Sequence, residues 1–86
     1  MAKYSLEFKS SFYKELRSLP KKDVKRIVAR IDRLADDPRG PGCEKLSGQE
    51  RYRVRQGVYR IIYEIEDARL IVIVLKVGHR GSVYDR

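Results

Sequence analysis

The chain opens on a strict alternation. Between residues 3 and 9, Tyr4, Leu6 and Phe8 fall on one side and Lys3, Ser5, Glu7 and Lys9 on the other, the period of a strand with one buried face. The period then lengthens. Phe12, Leu16 and Leu19 recur at helical spacing behind Ser10 and Ser11, either of which suits an N-cap, and Leu19-Pro20 closes the segment. Pro20 also suits the first turn of a second helix, where a missing N–H does no harm. There Val24, Ile27, Val28, Ile31, Leu34 and Ala35 make one apolar stripe, while Lys22, Asp23, Lys25, Arg26, Arg30, Asp32 and Arg33 take the other faces. The helix stops at Asp36-Asp37-Pro38, because a residue before proline avoids the helical region. Two helices joined this tightly form a hairpin whose apolar stripe must cover a sheet.

Residues 37–49 follow neither period and are rich in Pro and Gly, so they read as a loop with Leu46 as its one strong anchor. Alternation returns on both sides of Gln56-Gly57, a dipeptide that suits a two-residue hairpin turn. That turn sets Arg55 opposite Val58, Val54 opposite Tyr59, Arg53 opposite Arg60 and Tyr52 opposite Ile61. One face of the ribbon then carries Arg51, Arg53, Arg55 and Arg60, and the other carries Tyr52, Val54, Tyr59 and Ile61. Tyr63 and Ile65 continue the second strand, Asp67-Ala68 offers a weaker turn, and Leu70–Leu75 is a continuous apolar run that reads as a strand buried on both faces. The tail, residues 76–86, leaves the sheet through Gly78. The pattern predicts one α+β domain over residues 1–86. It has an N-terminal strand, a helical hairpin and a three-strand antiparallel meander, with the helices on one face of a four-stranded sheet.

Charge changes what the hairpin means. Like charges directly opposite on a sheet are destabilising, so placing Arg53 across from Arg60 calls for a reason, and a bound polyanion supplies one. The whole chain supports that reading. Its 86 residues hold 20 Lys and Arg against 12 Asp and Glu, a net charge of +8, with a pI near 9.9. Nucleic acid is the first partner such a balance suggests. Residues 51–86 hold eight basic side chains, seven of them Arg; guanidinium meets phosphate bidentately and keeps its charge at any working pH. Cys43 is the sole cysteine, which fits a reducing compartment. No stretch has the form of a signal peptide or the roughly 18 apolar residues of a membrane span. A cytoplasmic protein is expected.

The same inventory sets several chemistries aside. One His and one Cys among scattered carboxylates make no metal cluster, no Gly-rich phosphate loop precedes a helix, and no serine–histidine–acid arrangement is recognisable. No cofactor is expected. Arg53, Arg55, Arg60, His79, Arg80 and Tyr84 remain, and such a set can cleave RNA. The 2′-hydroxyl is the nucleophile, arginines stabilise the phosphorane, and a His or Tyr handles protons. Plainer readings stand beside this one. Alternation alone gives the arginines a solvated strand face, Tyr84 can anchor the chain end, and Tyr59 and Tyr63 share the core face with Ile61. The basic face of the second helix reads as solvent-facing, with RNA or ribosome contact as a further reading.

Several of these segments together resemble a known family. They are the strand–helix–Leu-Pro–helix–Asp-Pro order, Lys45-Leu46-Ser47-Gly48, Tyr52–Tyr63 with its Gly57-Val58-Tyr59-Arg60, and Gly78-His79-Arg80-Gly81-Ser82-Val83-Tyr84. The family is the RelE/ParE toxin superfamily, and the resemblance is strongest to its RelE branch. It implies a toxin of a type II toxin–antitoxin system that enters the ribosomal A site and cuts mRNA without a metal. It also implies a RelB-like antitoxin as partner and contacts with 16S rRNA. By the same resemblance Arg53 and Arg55 stand at basic strand positions, Arg60 and Arg80 stabilise phosphate, and Tyr84 stacks or transfers a proton. Lys45, Arg51 and Lys76 are expected to touch RNA. Arginine at 53 and 55 cannot readily act as a base, so proton abstraction is expected from Tyr84, from His79 or from several groups. A ParE-like inhibitor of DNA gyrase and a non-catalytic nucleic-acid-binding module are the alternatives.

Overall fold

The computed structural model describes residues 3–46 and 50–79. They form β1 (Ser5–Phe8), α1 (Ser10–Arg17), α2 (Lys21–Asp36), β2 (Glu44–Lys45), β3 (Arg51–Gln56), β4 (Tyr59–Glu66) and β5 (Ile71–His79). The strands make a single sheet in the order β1-β5-β4-β3-β2. β1 runs parallel to β5, and every other pair is antiparallel. The fold is therefore the expected α+β arrangement, with one correction. The sheet has five strands and not four, because Glu44 and Lys45 pair with Arg53 and Tyr52. A strand of two residues shows no alternation, and this one lies inside the Pro/Gly-rich segment that reads as loop.

Both helices start about where sequence places them, with different caps. Ser10 is already helical, Lys9 occupies the cap, and no side chain caps it. Pro20 is the cap of α2, and its carbonyl accepts the N–H groups of Asp23 and Val24 at 3.0 Å each. The apolar stripe of α2 is rotated from the expected one. Ile27, Ile31 and Leu34 are fully buried, but Val28 is 42% exposed while Arg30 is only 8% exposed. These residues, with Phe12 of α1, pack on Val54, Ile61, Tyr63, Val72 and Val74 to make the core.

The β3–β4 turn sits one residue later than expected. Gln56 pairs with Tyr59, Arg55 with Arg60, Val54 with Ile61 and Arg53 with Ile62. Gly57 has φ +62° and Val58 follows it, so glycine takes the first central position, the only one of a type II′ turn that needs positive φ. Moving the turn by one residue shifts the partners and keeps every side chain on its expected face. The like-charge pair is accordingly Arg55 with Arg60, and Arg53 faces Ile62.

β5 is longer than the apolar run. Leu70 belongs to the preceding turn with φ +54°, and the strand continues through Gly78, which pairs with Arg60. A bulge lies where Ile62 pairs with Lys76 and Tyr63 with Val74. Just past it the N–H of Val77 donates to Glu15 Oε1 at 3.0 Å, tying α1 to the irregular part of the strand.

Candidate functional site

Paired residues share a face of an antiparallel sheet. Tyr59, Ile61 and Tyr63 lie under the helices, so Arg60, Ile62 and Glu64 face the other way. Arg55, Arg53 and Arg51 stand opposite those three, and Gly78 and Lys76 extend the row on the far side. The open face of the sheet thus collects Arg51, Arg53, Arg55 and Arg60, as the alternation implies, and β5 adds Lys76. Arg60 is only 6% exposed. The side chain of Arg53 is 17% exposed, and Arg51 and Arg55 are exposed.

Two carboxylates temper this charge. Glu64 accepts from Arg51 Nε at 3.3 Å, and Glu44 on the edge strand pairs with Arg53. The hydrogen bond from Arg53 holds the Glu44 carboxyl below the usual range, and the nearby charges of Arg55 and Arg60 act in the same direction. Glu44 therefore lies in contact with Arg53 and within the field of Arg55 and Arg60. Such a face can hold a phosphodiester and stabilise charge that builds up on it.

The other expected site residues divide. Lys45 pairs with Tyr52 across the ladder, which puts it on the helix side of the edge, 3.6 Å from Glu50. His79 pairs with Tyr59, and their rings meet edge to face at 6.0 Å. Tyr59 in turn donates to Asp23 of α2 at 2.7 Å, which raises the pKa of its hydroxyl. His79 is thus on the helix side and is not brought together with Arg53, Arg55 and Arg60. Arg80, Tyr84 and the Ser47-Gly48 part of the loop motif lie outside the described residues.

Sequence reasoning missed the network that positions β2. Arg39 donates to both oxygens of Asp67 at 3.0 and 2.9 Å and to the hydroxyl of Tyr52 at 3.2 Å. Tyr4 also donates to Asp67, at 3.0 Å. These bonds, that from Arg39 first, hold the Asp67 carboxyl below the usual range. Tyr52 stacks on Tyr63 at 5.7 Å, and the Tyr63 hydroxyl donates to the Pro38 carbonyl at 2.6 Å. The loop is so pinned at two adjacent residues of its first turn, Pro38 and Arg39, and Glu44 pairs beside them with Arg53. Arg30 was also missed. It falls three residues after Ile27 and four before Leu34, a spacing that borders the apolar stripe and could have flagged it.

Comparison with known proteins gives a consistent picture. Residues 3–84 match the family described as ParE toxin of type II toxin-antitoxin system, parDE. Toxin RelG of Mycobacterium tuberculosis is 29% identical, over 96% of this chain and 98% of that protein. The mRNA interferase toxin RelE of Escherichia coli is 28% identical, over 94% and 90%. Among solved structures, the toxin-antitoxin complex RelBE2 from M. tuberculosis has a chain that superposes with a TM-score of 0.83 at 26% identity, covering 95% of this chain and 97% of that one. The archaeal RelE-RelB complex from Pyrococcus horikoshii gives 0.82 at 30% identity, over 94% and 99%.

Proposed function

The chain belongs to the family of ParE toxins of type II toxin-antitoxin systems, and from that premise we propose that it is a RelE-like endoribonuclease that cuts mRNA in the ribosomal A site. The observation that carries the reading is Arg60. Its guanidinium is nearly buried, directly across from Arg55, on a face that also holds Arg53. A fold retains a close like-charge pair when an anion that binds there offsets the repulsion.

In the reaction the 2′-hydroxyl loses its proton and its oxygen forms a bond to the adjacent phosphorus. The bond to the 5′-oxygen breaks, that oxygen takes a proton, and a 2′,3′-cyclic phosphate remains. No metal is required. Arg53, Arg55 and Arg60 stabilise the phosphorane, with Arg80 joining them as the resemblance implies. Arginine stays protonated, and His79 stands on the other face of the sheet. Proton transfer is therefore assigned to Tyr84, at about 10²–10⁴-fold for one such step. Arg51 and Lys76 guide the strand along the open face, and Lys45 serves at the edge.

The partner is a RelB-like antitoxin, as the RelE–RelB complexes among the structural relatives support. One observation favours a second reading, a gyrase-inhibiting toxin: the matching family is described by the name ParE. Mapping mRNA 5′ ends after induction distinguishes the two. Cuts in phase with codons, confined to translated regions, are expected. Intact messages with gyrase-dependent DNA breaks would overturn the nuclease in favour of the second reading. Tyr84→Phe is expected to abolish cleavage, and unchanged cutting would leave that residue no proton to move.

A further inference from the structure

We propose that the cleft between α2 and β3 is a second phosphate site, which holds a backbone phosphate of the RNA next to the one on the open face. The inference rests on the nuclease reading for the identity of its ligand. The cleft has a volume of about 380 Å³, and Arg30, Arg33, Arg53 and Arg55 line it together with Glu44 and Val54. Four arginines thus line one small space with a single acidic residue, and Glu44 already pairs with Arg53.

Arg30 makes this more than a charged surface. It is 8% exposed, and its Nη2 donates to the Pro41 carbonyl at 3.2 Å and lies 3.8 Å from Cys43 Sγ. Neither partner is a carboxylate. Among the described residues no carboxylate lies within ion-pair distance of it. A buried guanidinium without a counter-charge is costly to a fold, and an anion entering the cleft supplies one. Phosphate suits it because the guanidinium fork matches two phosphate oxygens at once. Arg53 and Arg55 border both the cleft and the open face, so one strand passing over β3 reaches both sites.

Two probes test this, inorganic phosphate and a short all-deoxy analogue of single-stranded RNA that has no 2′-hydroxyl and cannot be cut. Each is titrated into isotopically labelled protein while the arginine Nε–H signals are followed. Anisotropy of the labelled oligonucleotide is then measured against salt. Phosphate and oligonucleotide are both expected to move the signals of Arg30 and Arg33. Arg33→Gln, at an exposed position, is expected to weaken the oligonucleotide several-fold. It should also reduce the slope of log affinity against log salt by about 0.7, the value for one contact to a single strand. Arg33→Lys should restore the slope. Arg30→Gln should behave like Arg33→Gln or more severely, and if it fails to fold, Arg33→Gln and the wild-type signals still decide. Oligonucleotide binding that leaves Arg30 and Arg33 unmoved, or an unchanged slope in Arg33→Gln, overturns the site. Phosphate that binds where the oligonucleotide does not makes it a small-anion site and overturns the RNA assignment. Neither probe needs cleavage, so loss of the nuclease reading alone would leave this binding intact.

Discussion

β4 presents two environments on alternate residues. Toward the helices Tyr59, Ile61 and Tyr63 are buried among apolar side chains, with two hydroxyls each given one partner, Asp23 and the Pro38 carbonyl. Toward the open side Arg60 and Ile62 are almost as inaccessible, at 6% and 5% exposure, yet their neighbours on the adjoining strands include Arg51, Arg53, Arg55 and Lys76. The first face is what a small domain uses to stay folded. The second sets Arg55 directly opposite Arg60. A strand that is equally buried on both sides can therefore be structural on one and functional on the other, and burial alone does not separate the two.

The largest expected effect comes from the helix side. Ile61 has no exposed surface, and truncation to alanine removes core contacts and leaves a cavity, at a cost of about 2–5 kcal/mol. Total stability for a domain of this class is about 5–15 kcal/mol. Ile61→Ala should shift the chemical-denaturation midpoint strongly, and any toxicity it loses should return when the protein is cooled or an antitoxin-type ligand stabilises it. A midpoint close to wild type would mean that this face is not the main source of stability.

Arg60→Ala should give the reverse pattern one residue away. Cleavage is expected to fall about 10²–10³-fold, the usual consequence of removing one preorganised group that stabilises transition-state charge. Cooperative unfolding should persist. Full toxicity in this variant would sink the arginine site, and loss of folding together with toxicity would erase the distinction between the faces.

How far the sequence anticipates this contrast depends on the length of the repeating pattern. The two alternating runs on either side of Gln56-Gly57 assign each side chain to its face, because the period of two survives a shift of the turn by a residue. The register did not follow from alternation. It depends on which residue takes positive φ, and Gly57 can stand either second or first in a two-residue turn. β2 has too few residues to carry a period, so Glu44 and its pairing with Arg53 were invisible. The charge of Arg30 assigns it to solvent, although its spacing from Ile27 and Leu34 borders the buried stripe. Its burial rests on the acceptors that Pro41 and Cys43 bring from a loop without periodicity. His79 joins the arginines by residue type, as the one imidazole in the chain, and the pairing with Tyr59 places it on the other face.

Arg55 offers a sharper test of the open face, because there stability and activity should move in opposite directions. Opposing like charges on a sheet cost about 0.2–1 kcal/mol. Arg55→Gln removes the repulsion with Arg60 while keeping a side chain of similar reach. The melting temperature should rise slightly as cleavage falls. A variant that loses both would place Arg55 among the structural contacts, and one that keeps full cleavage would confine the reaction to Arg60 and its other neighbours.

The smallest expected effect concerns the pin that holds the edge of the site, and it carries a pH signature. Asp67 accepts from Arg39 and Tyr4, and these bonds hold its carboxyl below the ordinary range. A depressed carboxyl contributes stability that is present above the unfolded-state value of about 3.9 and fades as pH falls through the lower folded-state value. Asp67→Asn should therefore lower the melting temperature modestly at neutral pH, and the gap from wild type should close as acid protonates the wild-type carboxyl. The pair is exposed, with side chains 45% and 59% accessible, so salt should shrink the neutral-pH difference as well. A gap that stays constant into acid would assign the loss to the hydrogen-bond geometry that asparagine cannot reproduce rather than to charge. Because Arg39 also stacks on Tyr52 at 5.5 Å, beside the strand that carries Arg53, the charge-based outcome predicts a small parallel loss of cleavage at neutral pH.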